Sequence, residues 1–129
     1  MEVVMSESRP VIDISVETAY IAQRSKPEED RYFFTYTITI ANTGDGEAQL
    51  LSRHWIITDA NDNVQEVRGE GVVGQKPVIQ SGTAFEYTSG TFLDTPVGTM
   101  KGSYQMLANG ELFDAPIPEF ILSFPRTLH

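Results

Sequence analysis

A chain of 129 residues with 40% hydrophobic content can build one compact core and is too short for two ordinary ones, so a single domain is expected over residues 1–129. Nine Lys and Arg against eighteen Asp and Glu leave a formal charge of -9, which repels phosphate backbones and anionic headgroups and removes nucleic acid and membrane surfaces from the expected partners. The absence of cysteine excludes disulfide scaffolds, thiolate metal sites and Cys nucleophiles together, and fits a reducing, cytoplasmic setting.

Residues 1–10 carry two Glu, lack the basic start of a secretory signal, and read as a short flexible lead-in. No apolar run approaches the roughly 18 residues that span a bilayer. From there the chain alternates with period two. Ile12, Ile14 and Val16 oppose Asp13, Ser15 and Glu17, and residues 17–24 (ETAYIAQR) continue the same extended run. Residues 24–30 (RSKPEED) form a polar connector. Tyr32, Phe34, Tyr36, Ile38 and Ile40 then alternate with Phe33, Thr35, Thr37, Thr39 and Ala41, a β-branched and aromatic strand that ends at NTGDG over residues 42–46. A third strand over about residues 50–58 sets Leu51, Arg53, Trp55 and Ile57 on one face and Ser52, His54, Ile56 and Thr58 on the other.

Residues 59–63 make a turn and residues 64–68 a short partner strand. Residues 83–90 (TAFEYTSG) form another strand. Residues 102–108 and 111–124 are joined by Asn109-Gly110, a hairpin turn signal because both positions take positive φ, so these two segments are adjacent and antiparallel. Pro116 and Pro118 place a bulge in the last segment before Phe120, Leu122 and Phe124 resume the core alternation. Tyr104 reads either as a tyrosine corner, its hydroxyl bonded to nearby backbone, or as a half-buried core Tyr. Seven to eight strands and a central Trp make an all-β chain, an immunoglobulin/fibronectin type III-like β-sandwich of two antiparallel sheets.

Gly69, Gly71 and Gly74 spell G-x-G-x-x-G after a strand, the spacing that brings backbone amides to a pyrophosphate when a helix follows. Pro77 follows three residues later and Glu70 puts a negative charge inside the loop, so the dinucleotide reading fails. What remains is a candidate anion or pyrophosphate loop, Gly69, Gly71 and Gly74 flanked by Arg68 and Lys76, against a plain turn that needs positive φ. Asp59, Asn61, Asn63 and Glu70 fall on calcium-loop spacing, but Val64 occupies the position that calls for Gly. His54 and His129 form no spaced ligand set, and no metal ligand set is assigned beyond a weak divalent contact of His54 with Asp59, Glu66 or Glu70. One internal His without a G-x-S-x-G elbow gives nucleophilic catalysis nothing to work with.

The runs His54-Trp55-Ile56-Ile57-Thr58-Asp59, Val67, Gly69-Glu70-Gly71-Val72-Val73-Gly74-Gln75-Lys76-Pro77, Gly82, Phe85, Tyr87-Thr88-Ser89-Gly90, Met100-Lys101-Gly102-Ser103-Tyr104, Phe120 and Leu122 closely resemble the bacterial ApaG proteins over about residues 20–124. The resemblance implies a fibronectin type III-like sandwich. It also implies an association with cobalt resistance and magnesium efflux, and with genes that neighbour a diadenosine tetraphosphate hydrolase. Similar domains in certain eukaryotic F-box proteins and in a DNA-polymerase-delta-interacting protein look like adaptor modules. Nucleotide or pyrophosphate binding has been suggested for the family's glycine motif, which is matched here by Gly69, Gly71 and Gly74.

The expected function is therefore a non-enzymatic binding or adaptor domain that meets a protein partner through a sheet face or edge and the glycine loop. It would act as a monomer or weak homodimer and need no cofactor. The competing expectation is a sensor that holds a Mg- or Co-complexed nucleotide or pyrophosphate at the loop.

Overall fold

The alternation becomes eight strands in the computed structural model, which describes residues 9–125. In chain order they are β1 (Ile12–Tyr20), β2 (Tyr32–Asn42), β3 (Ala48–Asp59), β4 (Val64–Glu70), β5 (Val78–Ile79), β6 (Ala84–Leu93), β7 (Val97–Ala108) and β8 (Glu111–Ser123). One sheet has the order β1-β2-β6. The other has the order β4-β3-β7-β8, with β5 paired to the start of β3. Every named pairing is antiparallel. Among the described residues no helix is long and apolar enough to cross a membrane.

The two sheets close on one core because β2 and β7 present their alternate residues to each other. Phe34, Ile38, Ile40, Leu50, Met100, Tyr104, Met106 and Leu122 lie there with no more than 1% of their surface exposed. Burying an apolar side chain of this size contributes about 1.5–3 kcal/mol. Trp55 sits at the centre, edge-on to Tyr36, Tyr104 and Phe120 at ring-centroid separations of 5.4, 6.3 and 5.9 Å. Its neighbour Ile57 is buried on the same face, as the alternation requires.

Local chemistry corrects several sequence boundaries. The strand expected over residues 17–24 stops at Tyr20, and Ala22–Arg24 is a 3-10 turn. The cause is Ser25, whose hydroxyl donates to Ile21 O at 2.8 Å and accepts from Phe33 N–H at 2.8 Å, turning the chain back before alternation can continue. In β3 the register shifts between Leu50 and Ser52. Ala48 and Leu50 are therefore buried upstream of the bulge and Trp55 and Ile57 downstream, and Leu51, expected on the Trp55 face, is the unpaired residue. The strands expected over residues 83–90 and 102–108 are longer, running to Leu93 and starting at Val97.

The expected hairpin at Asn109-Gly110 is present, with φ of 54° and 75°. The bulge in β8 lies where the prolines placed it: Pro118 and Glu119 together oppose Lys101, between Met100↔Phe120 and Gly102↔Ile117. The strand runs through the bulge. Tyr104 is a fully buried core residue, and its hydroxyl pairs with that of Tyr87 rather than with backbone, so the tyrosine corner is absent. Residues 1–8 of the lead-in and His129 lie outside the described residues.

One polar side chain organises the end of the first sheet. Asn42 is 1% exposed; its amide donates to Gly46 O at 2.8 Å and Ile79 O at 3.1 Å, and its carbonyl accepts from Val11 N–H at 3.3 Å and Gly44 N–H at 3.2 Å. It thus ties the β2–β3 turn to β5 and to the approach to β1. Asn42→Leu strands these groups and is expected to lower stability by about 2–4 kcal/mol, read from denaturant unfolding. A loss under about 0.5 kcal/mol, the range of a neutral surface change, would contradict this account of the turn.

Candidate functional site

The glycine motif lies at the end of the β3–β4 hairpin. The two strands pair from Thr58↔Val64 to Ser52↔Glu70, and the chain then leaves the ladder through Gly71. Gly71 N–H donates to Leu51 O at 2.8 Å, Val72 N–H to Gln75 O at 2.8 Å, and Gln75 N–H to Val72 O at 2.9 Å. Val73 and Gly74, with φ of 42° and 79°, are the two central residues of a tight turn of type I′ character. Extended chain follows through Pro77, whose carbonyl accepts from Leu50 N–H at 3.0 Å. The loop therefore has no helix behind it, and three of its amides are spent on backbone carbonyls, one of β3 and two of the loop itself.

The glycines answer to steric constraints within the hairpin. A Cβ on Gly69 would lie 2.7 Å from the guanidinium of Arg53, its partner in the register. That guanidinium donates through Nη1 to Glu70 O at 3.0 Å and to Gly71 O at 2.8 Å. Gly71 has φ of 61°, and a Cβ there would meet Gln75 O at 2.3 Å. Arg53 shares the inward face of β3 with Trp55, and its charge reaches the buried Tyr87 and Tyr104 hydroxyls. Burial pushes the Tyr87 hydroxyl up to about 12 and raises that of Tyr104 too, so both stay protonated and hydrogen-bond to each other. Sequence reasoning missed Arg53, because its pairing with Gly69 depends on the register of the hairpin.

Lys76 lies against the loop, its Cγ 3.4 Å from where a Cβ on Gly71 would stand, whereas Arg68 turns to Glu66, and each cation is engaged by a carboxylate. Arg68 bonds Glu66 at 3.3 Å and Lys76 bonds Glu70 at 2.8 Å. Arg68 belongs instead to the outward face of the larger sheet, a polar groove of about 610 Å³ lined by Ser52, His54, Arg68, Glu70, Gln105 and Asp114 among others. Ser52 donates to Gln105 at 2.8 Å, and His54 Nε2 meets Glu66 at 2.6 Å. The His54 hydrogen bond, then its charge and that of Arg68, hold the Glu66 carboxyl below its ordinary value; Lys76 does the same for Glu70. Asp59 turns inward on its own loop, accepting from Asn61 N–H at 2.8 Å, Asn63 N–H at 3.0 Å and Asn63 Nδ2 at 3.1 Å. Glu70 meanwhile pairs with Lys76, so the four residues of calcium-loop spacing do not meet. Among the described residues no cluster of three His, Asp or Glu could hold a metal ion.

A three-plus-five sandwich with a polar outer face and a glycine-tipped hairpin defines the class: a fibronectin type III-like β-sandwich domain. Its family follows from comparison with known proteins. The sequence profile of the ApaG domain matches residues 22–108, and the chain belongs to the ApaG family. It is 62% identical over 119 residues to Protein ApaG of Thiobacillus denitrificans, covering 92% of this chain and 94% of that one. It is 56% identical over 126 residues to Protein ApaG of Pseudomonas syringae pv. tomato, covering 97% of this chain and all of that one. The crystal structure of an ApaA protein from Bordetella pertussis superposes with a TM-score of 0.89 at 50% identity, covering 93% of this chain and 98% of that one.

Gly71→Ala sets a β-carbon against backbone in a left-handed conformation, whereas Gly69→Ala displaces the Arg53 guanidinium and loosens its bonds to Glu70 O and Gly71 O, a side-chain shift that costs less than a backbone one. The first is expected to cost about 2–4 kcal/mol and the second about 1 kcal/mol, with faster amide exchange confined to the hairpin in Gly69→Ala. Equal losses would contradict the geometry. The Glu66 carboxyl, lowered from 4.5, contributes stability that is fully present above that pH and lost as pH falls through its folded value. Glu66→Gln should therefore melt below wild type at neutral pH, and the two melting temperatures should converge in acid; a gap independent of pH would refute the assignment.

Proposed function

We propose that this domain is a non-enzymatic protein-binding module, in keeping with the adaptor role expected from the resemblance. Its contact surface is the tip of the β3–β4 hairpin with the adjoining polar sheet face. It acts in the cytoplasm as a monomer or weak homodimer, and it bears on cobalt resistance and magnesium efflux through the protein it recruits.

The observation that carries this reading is Val73. It is β-branched, 54% exposed, and held at φ 42°. The other described non-Gly residues with positive φ are Asp30, Asp62 and Asn109, types that tolerate the left-handed region well. Holding Val there costs about 1–3 kcal/mol, and its isopropyl group is not among the side chains packed against the core. Its neighbour Val72 is fully buried and anchors the turn, so the tip is presented rigidly. An apolar side chain kept in a strained, outward position suits contact with another protein, and it offers nothing to a diphosphate. The diphosphate-sensor reading has less support, since Arg68 and Lys76 are each paired with a carboxylate and three loop amides are used internally.

Val73→Asn is expected to raise stability by about 1 kcal/mol and to abolish capture of the partner. The measurement is quantitative affinity capture from cell lysate with wild-type and Val73→Asn baits, alongside their melting temperatures. A more stable variant that retains the same proteins at the same level as wild type would sink the proposal.

A further inference from the structure

On the opposite sheet, the outward side of the β2–β6 ladder ends in an aromatic pair. Phe33 and Phe92 are cross-strand neighbours with ring centroids 4.7 Å apart. Phe33 lies over Gly90, where a Cβ would come within 2.4 Å of the ring, while Phe92 is 41% exposed. Two guanidiniums cover this pair: Arg24 stands 4.1 Å from the Phe33 centroid and Arg31 5.0 Å from the Phe92 centroid. Among the described residues neither arginine has an acidic partner; Glu29, the nearest acidic candidate in sequence with an ion pair, is 3.8 Å from Lys26. In a chain of charge -9 these two guanidiniums are held on rings and outside any ion pair among the described residues, beside the acidic residues Glu28, Glu29, Asp30 and Asp94 of the adjoining turns.

The two guanidiniums lie beside an open sheet edge. β6 pairs with β2 alone. Asn42 N–H donates to Thr83 O at the start of that ladder, so alternation turns the backbone groups of Ala84, Glu86, Thr88, Gly90 and Phe92 away from β2. Between this edge and β4 lies a groove of about 250 Å³, with Ile57, Val64, Phe92 and Leu93 on its apolar part and Asp59 and Asp94 on its polar part, so it admits an apolar side chain and repels a carboxylate. A strand laid along β6 would thus alternate its side chains between the arginine-covered face and a partly apolar groove.

We propose that the β6 edge accepts an extended acidic segment of a partner protein as an added strand. Its carboxylates bond the free N–H groups of Arg24 and Arg31, and an intervening apolar side chain enters the groove. Main-chain hydrogen bonds provide affinity, and the arginines select for acid. Glu86, on the same face of β6, sets the polarity by repelling carboxylates at the far end. A second copy of this chain is a poorer occupant, because each brings a charge of -9. The inference deepens the binding-module reading and rests on it for the class of partner, but it uses a separate surface from the Val73 hairpin.

The test uses the full chain and a fluorescein-labelled octapeptide alternating Glu with Val, followed by anisotropy and by amide hydrogen exchange. Saturable binding is expected, with slowed exchange at Gly90 and Phe92. Affinity should fall about tenfold or more in Arg24→Gln/Arg31→Gln, and binding should vanish when alternate peptide amides are N-methylated. Phe92→Thr, which keeps β propensity at an exposed site, should weaken binding as well. Melting curves must match wild type for each variant. The proposal is overturned by absence of binding, by affinity indifferent to both arginines, by protection mapped to β4 or β8, or by β6 protection in the free protein accompanied by dimer in sedimentation. Stacking of free AMP on Phe92 with no response to the peptide would also overturn it. If the peptide fails while wild-type and Val73→Asn baits still capture different proteins, only this inference falls.

Discussion

The hairpin that gives this domain its most conspicuous sequence motif depends on one half-buried cation. Arg53 turns inward at the end of the sandwich, where two backbone carbonyls, those of Glu70 and Gly71, take its hydrogen bonds as the chain leaves β4. Two carbonyl acceptors and nearby tyrosine hydroxyls replace part of the water that such a charge would otherwise lose. Removing those carbonyls would leave an unpaired guanidinium beside the core, so the path of the chain after Glu70 is coupled to the Arg53 side chain. Gly69 leaves the space the guanidinium fills, Gly71 allows the left-handed step beside it, and Gly74 completes the turn. A pattern that in another setting cradles phosphate here accommodates an arginine of the protein itself.

Much of this fold could be read from alternation alone, and the reasons for the exceptions are local. β2 was legible because five inward residues, Tyr32 to Ile40 by twos, are large and its outward ones are mostly Thr. The β7–β8 hairpin was legible because Asn109-Gly110 meets a backbone requirement that few other dipeptides meet. The first residues of β7 were not, since Gly98 and Gly102 dilute the apolar signal and leave Met100 isolated. β3 defeated a single-phase reading because the bulge at Leu51 shifts the pattern by one residue, which no count of alternating positions can reveal. The glycine loop was legible as a structure without a helix, from Pro77. Its partner Arg53 was not, because the distance between residues 53 and 69 acquires meaning only once a register is fixed.

Charge is distributed on this surface in a way that separates two kinds of neighbourhood. On the larger sheet, cations sit beside carboxylates, Arg68 with Glu66 and Lys76 with Glu70, and His54 shares a hydrogen bond with Glu66. Such exposed pairs contribute little to stability, and they make that face polar and nearly self-compensating. At the corner of the smaller sheet, Arg24 and Arg31 lie over aromatic rings instead. A guanidinium stacked on a ring keeps its N–H edge free for another acceptor while its flat face is packed, so it is held in place without being neutralised.

The arrangement of strands gives these surfaces a common side. β1 lies against β8, and these two edges face each other at one side of the sandwich. β4 and β6 are the edges at the other side, and the groove lined by Val64, Gln65, Phe92 and Leu93 lies between them. An open edge is a hazard in any β protein, because identical chains can pair along it. Here the net charge of -9 opposes that pairing at every encounter between copies, and Glu66, Glu70 and Glu86 project from the exposed edge strands themselves. The same charge leaves an acidic partner little to gain anywhere except where cations stand unpaired. Of the described cations outside any ion pair, Arg24 and Arg31 stand by the β6 edge whereas Lys101 lies on the inner strand β7, so the acidic strand we propose meets its attraction at that edge.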